Sequence, residues 1–340
     1  MPDKKLGFVS IVMPSLNEEH YIRDAITSIL PCDGEIDYEI LIVDGGSTDS
    51  TCEIVQQLAK ENPRIKLLHN PRRIQSAAMN LAAEAAAPQS RYLLRADCHA
   101  EYPPAFARHC IEALEKTEAA SVVVPLLAAG RTCMQKAIAA AQNSPLGNGG
   151  SAHRRAITSR YVEHGHHAAF DRAVFQKLGG YDESFTHNED AEYDVRVVNS
   201  GQSVYLLGEA PVRYYTRANL LALARQYANH GRGRASTLLK HSIRPRLRQM
   251  LPVAALLSNA AAVILAMLWS AAFLAIPLTY VALCMGWGAA LAVRERAPYA
   301  ALSGAAAMVM HMSWALGFLQ RLNRAYAPKR LTHSETARSS

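Results

Sequence analysis

The fold is decided by residues 8–30, which read FVSIVMPSLNEEHYIRDAITSIL. The opening FVSIVMPS is an apolar run rich in β-branched side chains, which predicts a strand. Beyond the polar turn, apolar residues recur three and four apart, as on one face of a helix: Ile22, Ala25, Ile26 and Ile29. A strand, a polar turn and an amphipathic helix in that order predict the first βα unit of an α/β protein.

The same alternation continues as far as Leu127. Further strand patterns are separated by helix patterns, and they read YEILIV (38–43), RIKLLH (64–69), RYLLRA (91–96) and SVVVPLL (121–127). Such alternation predicts right-handed βαβ units and an open, mostly parallel sheet that binds ligands at the carboxyl ends of its strands. Beyond Leu127, glycines and histidines in LGNGGSAHR and EHGHHAAF are typical of loops that carry substrate contacts.

The positive charge of the chain is concentrated in one segment. Residues 210–294 contain no Asp or Glu. The cations in the first half of that segment are Arg213, Arg217, Arg225, Arg232, Arg234, Lys240, Arg244, Arg246 and Arg248. They outnumber the formal net charge of +7, so this segment accounts for the basic character and is expected to face phosphates or an anionic membrane.

The cysteines and the N-terminus predict a reducing, cytoplasmic environment. None of the six cysteines shows the paired spacing of a metal site, and the first residues lack the pattern of a secretory leader. These cysteines are Cys32, Cys52, Cys98, Cys110, Cys133 and Cys284.

Two apolar runs near the C-terminus predict attachment to a membrane. Residues 251–293 and 299–319 contain no acidic side chain. At about 20 residues per crossing, the first run is long enough for a two-pass hairpin and the second for one more pass. Basic residues flank both runs and prefer the cytoplasmic side. We therefore predict that 251–293 is a hairpin and that 299–319 is re-entrant or interfacial, which leaves both ends of the chain in the cytoplasm.

The pattern divides the chain into four parts. We predict a catalytic domain at 1–218, a basic amphipathic interfacial segment at 219–250, a membrane region at 251–325 and a polar tail at 326–340. Leucines interleaved with arginines suggest that the second part is a helix lying on the bilayer surface.

Polar motifs follow the first two strands. In VDGGSTDST, Asp44 ends a strand, and two glycines let the backbone approach a ligand closely, which suits recognition of a nucleotide. The alternative is an ordinary turn that leads into a helix. The segment PSLNEE after the first strand contains no glycine, which argues against a dinucleotide oxidoreductase.

A third motif, LLRADCHAEY at 93–102, predicts a divalent metal site. Residues two apart on a strand point to the same side, so the Asp97 carboxylate and the His99 ring would converge at the strand tip. The alternative is a polar loop at the end of a strand.

A fourth motif, HNEDAEYDVR, places Glu189 and Asp190 at the start of a helical pattern. In such a pair, one carboxylate is expected to accept a hydrogen bond or a salt bridge while the other acts as general base. The alternative is that these acids only complement the helix dipole.

Taken together, the four motifs resemble family 2 glycosyltransferases, which have the nucleotide-sugar-binding GT-A fold. The resemblance covers roughly residues 8–235. Within that family it is greatest to bacterial exopolysaccharide enzymes of the succinoglycan glucosyltransferase type. Their R-x-D-x-H and N-E-D forms are matched by Arg95, Asp97 and His99 and by Asn188, Glu189 and Asp190.

The resemblance implies roles for individual residues. Asp97 and His99 would hold Mn²⁺ or Mg²⁺, with His99 standing where most relatives have a second Asp. Asp190, assisted by Glu189, would deprotonate the acceptor hydroxyl in a single displacement that inverts the configuration. The nucleotide-sugar pocket would be formed by Pro14, Asn17, Glu18, Asp44 and Arg95. Gly45 replaces the second of two aspartates that are common in the family.

Processive synthases of this family carry a Q-x-x-R-W motif, whereas the corresponding region here reads RQYANHGRGRAS and has no Trp. Gln226, Arg232 and Arg234 would clamp a diphosphate, either that of the donor or that of a lipid-linked acceptor; a basic helix that binds lipid headgroups is the alternative. We interpret His166 and His167 as loop histidines rather than as a third metal ligand.

The resemblance therefore predicts a metal-dependent inverting enzyme of the bacterial inner membrane, with its catalytic domain facing the cytoplasm. The expected donor is UDP-glucose, and the expected acceptor is a polyprenyl-diphosphate-linked sugar in exopolysaccharide assembly. Membrane lipids are expected partners, and nucleic acid is not. The alternatives are a processive polysaccharide synthase and a non-catalytic membrane scaffold that retains the fold.

Overall fold

A computed structural model describes residues 6–30, 36–149 and 158–326. The strands are β1 (Leu6–Ser15), β2 (Ile36–Asp44), β3 (Ile65–His69), β4 (Tyr92–Arg95), β5 (Ala100–Glu101), β6 (Ser121–Val124), β7 (Leu126–Ala129), β8 (Arg160–Val162), β9 (His166–Asp171), β10 (Val204–Leu206) and β11 (Val212–Tyr215). Cys32 and, apart from Tyr326, the predicted polar tail lie outside the described residues.

The helices alternate with the strands in the first half of the chain and follow one another in the second. They are α1 (Ile22–Ile29), α2 (Thr51–Glu61), α3 (Gln75–Ala85), α4 (Phe106–Thr117), α5 (Cys133–Asn143), α6 (Pro145–Asn148), α7 (Arg172–Lys177), α8 (Glu189–Asn199), α9 (Leu220–Lys240), α10 (Leu247–Leu268), α11 (Ala275–Arg294) and α12 (Ser303–Tyr326). Short 3₁₀ helices span Ala271–Leu274 and Pro298–Leu302.

The central sheet has the order β3-β2-β1-β4-β9-β6-β10-β8. Strands β1 to β4 are parallel, and Ser15 at the end of β1 lies opposite Asp44 at the end of β2. Their side chains are buried on both faces, Ile40 and Ile42 against one helical layer and Leu41 against the other. Double burial explains the continuous apolar runs of the sequence, and the predicted open, mostly parallel sheet is confirmed.

Strand β9 was not predicted. It runs antiparallel between β4 and β6 and contains both His166 and His167, so the interpretation of these residues as loop histidines is wrong. Ala168, Ala169 and Phe170 are buried together with His167, so the strand shows no alternation of polar and apolar residues. Without that alternation, a short strand has no periodic signal in the sequence.

A second sheet supports the turn that carries Asp97 and His99. The predicted strand SVVVPLL divides at Pro125, because proline has no N–H to donate to a ladder. The part beyond Pro125, β7, pairs with β11 in a sheet of order β5-β11-β7. The amide of Tyr215, the last residue of β11, donates to the His99 carbonyl oxygen at 3.0 Å and so holds the turn in place.

Helix α9 packs closely against α12. A Cβ atom at Gly231 would lie 2.0 Å from the Trp314 carbonyl oxygen, and one at Gly317 would lie 2.0 Å from the Ala228 carbonyl oxygen. Only glycine permits such an approach of two backbones. Leu223 of α9 is buried in the same cluster as residues of α5 and α12. The basic segment is therefore enclosed by protein on its apolar side, and its contact with a bilayer stays a prediction.

Three helical segments are long and apolar enough to cross a membrane: Leu247–Leu268, Ala271–Arg294 and Pro298–Tyr326. The first two are largely exposed in the protein, and Leu268 of the first and Val293 of the second are each 80% accessible. Helix α12 is continuous from Ser303 to Tyr326, without the chain reversal that a re-entrant segment requires. Whether this third segment crosses the membrane or lies at its interface stays a prediction.

Candidate active site

A cavity of about 1010 Å³ opens at the carboxyl ends of the central strands and extends to the C-terminal helices. Its lining includes most of the residues that the sequence predicted: Pro14, Glu18, Arg95, Asp97, His99, Glu189, Asp190, Gln226 and Arg234. Asn17, Asp44 and Arg232 do not line it. The fold therefore brings the four sequence motifs to one place.

Asn17 and Asp44 do not face the cavity, but their hydrogen bonds hold the polar turns that form its wall. The Asp44 carboxylate accepts hydrogen bonds from the Gly46 amide at 2.7 Å and the Ser47 amide at 2.9 Å. Burial alone would raise the pKa of Asp44, but these hydrogen bonds and that of the Ser47 hydroxyl lower it. The Asn17 side-chain oxygen accepts from the Thr48 amide at 2.8 Å, which ties the first polar turn to the second. Direct contact of either residue with a nucleotide stays a prediction.

Arg95 links the predicted metal site to the acidic pair. Its guanidinium is 6% exposed, with Nε 3.2 Å from Asp97 Oδ1 and one terminal nitrogen 3.7 Å from Glu189 Oε1. Removing one charge from such a buried cluster would leave the others uncompensated. Arg95 therefore holds the two acidic motifs at a fixed separation.

Glu189 and Asp190 have opposite pKa shifts. Helix α8 begins at Glu189 because Asn188 adopts a left-handed conformation with φ of 67°. Burial and the adjacent Asp190 charge raise the pKa of Glu189 to about 7. Burial also acts to raise the pKa of Asp190, but the charges of His167 and Arg95 and the Ala191 amide at 2.7 Å lower it. Asp190 is thus ionised at neutral pH, as a general base must be.

The structure gives Asp97 and His99 different partners. Strand β4 ends at Arg95, so both residues lie in the turn beyond it, and the alternation of a strand does not orient them. Asp97 Oδ2 is 3.4 Å from His166 Nε2, whereas His99 Nδ1 is 3.3 Å from Glu18 Oε1. The sequence offered the repeated histidines of EHGHHAAF as a signal for His166 but no indication that they lie in a strand.

The donor atoms around Asp97 suit a divalent cation. Burial would raise the pKa of Asp97, but the charge of Arg95 and its hydrogen bond hold it well below the usual range. Burial lowers the pKa of His166 to about 4, which leaves a neutral ring beside an ionised carboxylate. Within residues 6–30, 36–149 and 158–326, no three His, Cys, Asp or Glu side chains are grouped to hold a metal. A bound cation would take its other ligands from substrate phosphates and water, as Mg²⁺ commonly does.

A buried chain of hydrogen bonds extends from Arg95 into the protein interior. The Tyr181 hydroxyl lies 3.5 Å from Arg95 and 2.6 Å from His167 Nδ1. His167 Nε2 is 2.7 Å from Asp194 Oδ1, and the Gly165 amide donates to the other oxygen of Asp194 at 3.2 Å. This chain of hydrogen bonds was not predicted from the sequence, although Asp194 follows Asp190 by one helical turn and therefore lies on the same face of α8.

The helical end of the cavity contains a group of cations. Arg234 of α9 and Arg248 of α10 line it together with His164. Burial lowers the pKa of His164 to about 4, and the neighbouring charges of Arg234, Arg248 and Arg246 act in the same direction. Arg232 instead donates to Gln320 Oε1 of α12 at 3.2 Å.

Helix α9 is fixed against the turn that carries the acidic pair. A Cβ atom at Gly233 would lie 2.6 Å from the His187 carbonyl oxygen, and the Asn188 side chain donates to the Thr237 hydroxyl at 3.0 Å. This contact places Arg234 of α9 near Asp190.

Comparisons with known proteins agree with this site. The chain is 44% identical to succinoglycan biosynthesis protein ExoA of Rhizobium meliloti (strain 1021), over 92% of this chain and 94% of that protein. It is 24% identical to a dolichyl N-acetyl-alpha-D-glucosaminyl phosphate 3-beta-D-2,3-diacetamido-2,3-dideoxy-beta-D-glucuronosyltransferase of Methanococcus voltae, over 69% of this chain and 75% of that protein.

The structure is similar to that of the mannosyltransferase PcManGT from Pyrobaculum calidifontis, solved in complex with GDP-Man and Mn²⁺. The TM-score is 0.62 over 94% of this chain and 88% of that chain, and because the identity is 18%, this likeness shows the fold alone. It confirms the predicted GT-A fold. The sequence profile of Glycosyl transferase family 2 matches residues 10–179. Motifs, fold and relatives together show that the chain belongs to glycosyl transferase family 2.

Proposed function

We propose that the protein is a membrane-attached inverting glycosyltransferase that transfers one glucose from UDP-glucose to a polyprenyl-diphosphate-linked saccharide during exopolysaccharide assembly. The observation that carries the proposal is the position of Asp190. It is an ionised carboxylate in a cavity that begins at the sheet motifs and ends at three apolar helices. The name of the ExoA relative supports succinoglycan biosynthesis as the setting.

In the proposed reaction, Asp190 takes the proton from an acceptor hydroxyl as that oxygen attacks the anomeric carbon. The bond from this carbon to the nucleotide diphosphate breaks on the opposite face, and its electron pair leaves with UDP. Attack from the opposite face inverts the configuration, so an α-linked donor gives a β-linkage. Arg95 lies 3.7 Å from Glu189, the neighbour of Asp190 in sequence, and the Glu189 pKa of about 7 limits the negative charge on the acidic pair.

A divalent cation at Asp97, with His99 or His166 as a further ligand, would neutralise charge that develops on the departing diphosphate. The complex of the mannosyltransferase neighbour with GDP-Man and Mn²⁺ supports both a nucleotide-diphosphate donor and a cation. We also propose a location in the bacterial inner membrane with the catalytic domain in the cytoplasm, because basic residues flank the apolar helices.

The test is a transfer assay with purified protein in nanodiscs. UDP-glucose, UDP-galactose and GDP-mannose are each offered with Mn²⁺ or EDTA, with and without a polyprenyl-diphosphate-linked saccharide, and NMR gives the configuration of the product. We expect one β-linked glucose per acceptor, formed only with Mn²⁺. Products longer by many sugars would indicate a processive synthase, and the absence of transfer from any donor would indicate a non-catalytic scaffold. The matched control is Asp190→Asn.

A further inference from the structure

Two arginines at the helical end of the cavity have no partner among the described residues. Arg234 and Arg248 line the cavity, yet among the described residues neither makes a salt bridge or a direct hydrogen bond. Other cations of the same segment are paired: Lys240 with Glu192 and Asp182, and Arg246 with Glu163. Holding two unpaired guanidinium groups side by side is unfavourable unless an anion binds between them.

The wall beyond these arginines is apolar. Leu251, Pro252 and Ala255 of α10 face the cavity, as do Met310 and Trp314 of α12. The outer surface of α10 is itself apolar and exposed, as expected of a helix that meets lipid. A ligand that fits this end of the cavity therefore combines an anionic group with a hydrocarbon chain.

These arginines are separate from the end of the cavity that holds the sheet motifs. The cations there are Arg95, which is paired with Asp97 and Glu189, Arg73, which lies against Gly46 in the turn beyond β2, and Arg217, whose charge acts on His99. Arg234 instead lies close enough to Asp190 for the two opposite charges to attract each other. Because a base contacts the acceptor and not the nucleotide, an anion at Arg234 and Arg248 lies on the acceptor side.

We propose that Arg234 and Arg248 bind the diphosphate of a lipid-linked acceptor, and that the wall formed by α10 and α12 receives the first isoprene units of its chain. This assignment rests on the proposed function and deepens it. Two arginines match the charge of a diphosphate, and guanidinium groups bind phosphate oxygens in pairs.

The kinetic test compares Arg234→Gln, Arg248→Gln and the wild type in nanodiscs of zwitterionic lipid. We expect the KM for the lipid-linked acceptor to rise about tenfold or more in each variant, while the KM for UDP-glucose changes less than about twofold. Arg225→Gln is the matched control, because Arg225 is exposed on the same helix and does not line the cavity. Arg→Lys variants, which keep the charge, should recover part of the acceptor affinity.

Direct binding separates this inference from the proposed function. A polyprenyl diphosphate without sugar is titrated into Asp190→Asn protein, with the corresponding polyprenol and with UDP as comparison ligands. We expect the diphosphate to bind and Arg234→Gln, added to the same background, to weaken it about tenfold, with UDP binding unchanged.

Wild-type acceptor KM and wild-type binding of the polyprenyl diphosphate in both variants would overturn the inference even if transfer occurs. A rise in the KM for UDP-glucose alone would assign the arginines to the donor. Loss of binding to phosphatidylglycerol vesicles alone would make them an ordinary headgroup site. If the wild type transfers sugar to no lipid-linked acceptor but binds the diphosphate through these arginines, the proposed function fails and the subsite stands.

Discussion

The two ends of the cavity differ in how their charges are balanced. At the sheet end, Arg95 is buried between Asp97 and Glu189, so these three charges are balanced within the protein. At the helical end, the positive charges of Arg234 and Arg248 repel each other, and neither has an acidic partner in direct contact among the described residues. Paired charges keep reacting groups in place before a ligand arrives, whereas unpaired charges gain their partner from the ligand. We infer that the sheet end is built for chemistry and the helical end for capture.

Among the variants at the sheet end, Asp190→Asn should reduce kcat the most. Because the amide cannot accept the acceptor proton, we expect kcat to fall by about 10²–10⁴-fold, with donor binding within a few-fold of wild type. Nucleoside diphosphate release and calorimetric binding of UDP-glucose measure the two effects. An equal loss of donor affinity would remove Asp190 from the role of base.

Asp97→Ala should weaken donor binding rather than the proton transfer. We expect the affinity for UDP-glucose in Mn²⁺ to fall about 10- to 100-fold, because the variant removes the one ionised carboxylate proposed to hold the cation. Binding is measured in Mn²⁺ and again in EDTA, where the two proteins should converge. Wild-type affinity in Mn²⁺ would place the cation elsewhere.

Tyr181→Phe tests whether the buried chain positions Arg95. The variant removes one hydroxyl that lies between Arg95 and His167, so we expect kcat to fall about tenfold while the KM for the lipid acceptor is unchanged. The loss in stability should be about 1–3 kcal/mol, because a buried donor and acceptor lose their partner. Unaltered kcat with reduced stability would make the chain purely structural. Tyr161→Phe, at an exposed tyrosine, is the control.

His99→Asp rebuilds two carboxylates in the turn beyond β4. Because Mg²⁺ favours oxygen ligands, we expect activity to be kept and the ratio of rates in Mg²⁺ and Mn²⁺ to rise by a few-fold. Metal titrations of both proteins provide the measurement. If His99→Ala has undiminished turnover at limiting Mn²⁺, then His99 is not a ligand, and His166, which is the histidine beside Asp97, becomes the candidate.

More of the residues that line the sheet end of the cavity could be predicted from the sequence than of those that line the helical end. Continuous apolar runs ending in polar motifs indicate parallel strands, and the carboxyl ends of such strands meet at one edge whatever the details of the loops. For this reason Pro14, Glu18 and Asp97 were found in one cavity, whereas Glu189 and Asp190, which begin α8 rather than follow a parallel strand, were assigned to the site through the resemblance. The place of Arg248 depends on how α10 packs against α12, a tertiary contact that leaves no periodic signal in the sequence. Strand β9, which also has no periodic signal, was not predicted either, and therefore the contact of His166 with Asp97 was missed.

Glu189→Gln gives the smallest expected effect and tests the charge balance itself. Burial and Asp190 raise the pKa of Glu189 to about 7, above the usual value of 4.5. An acid whose pKa is raised by folding contributes full stability below its unfolded pKa and loses that contribution as the pH rises through the folded value. Between pH 5 and pH 8 the wild type should therefore lose stability at this site, whereas the neutral glutamine should not. We expect Glu189→Gln to raise Tm by about 2–4 °C at pH 8 and to have little effect at pH 5, as measured by thermal unfolding at both values. The same shift at both pH values would mean that Arg95 already neutralises Glu189 and that the sheet end has no excess of negative charge.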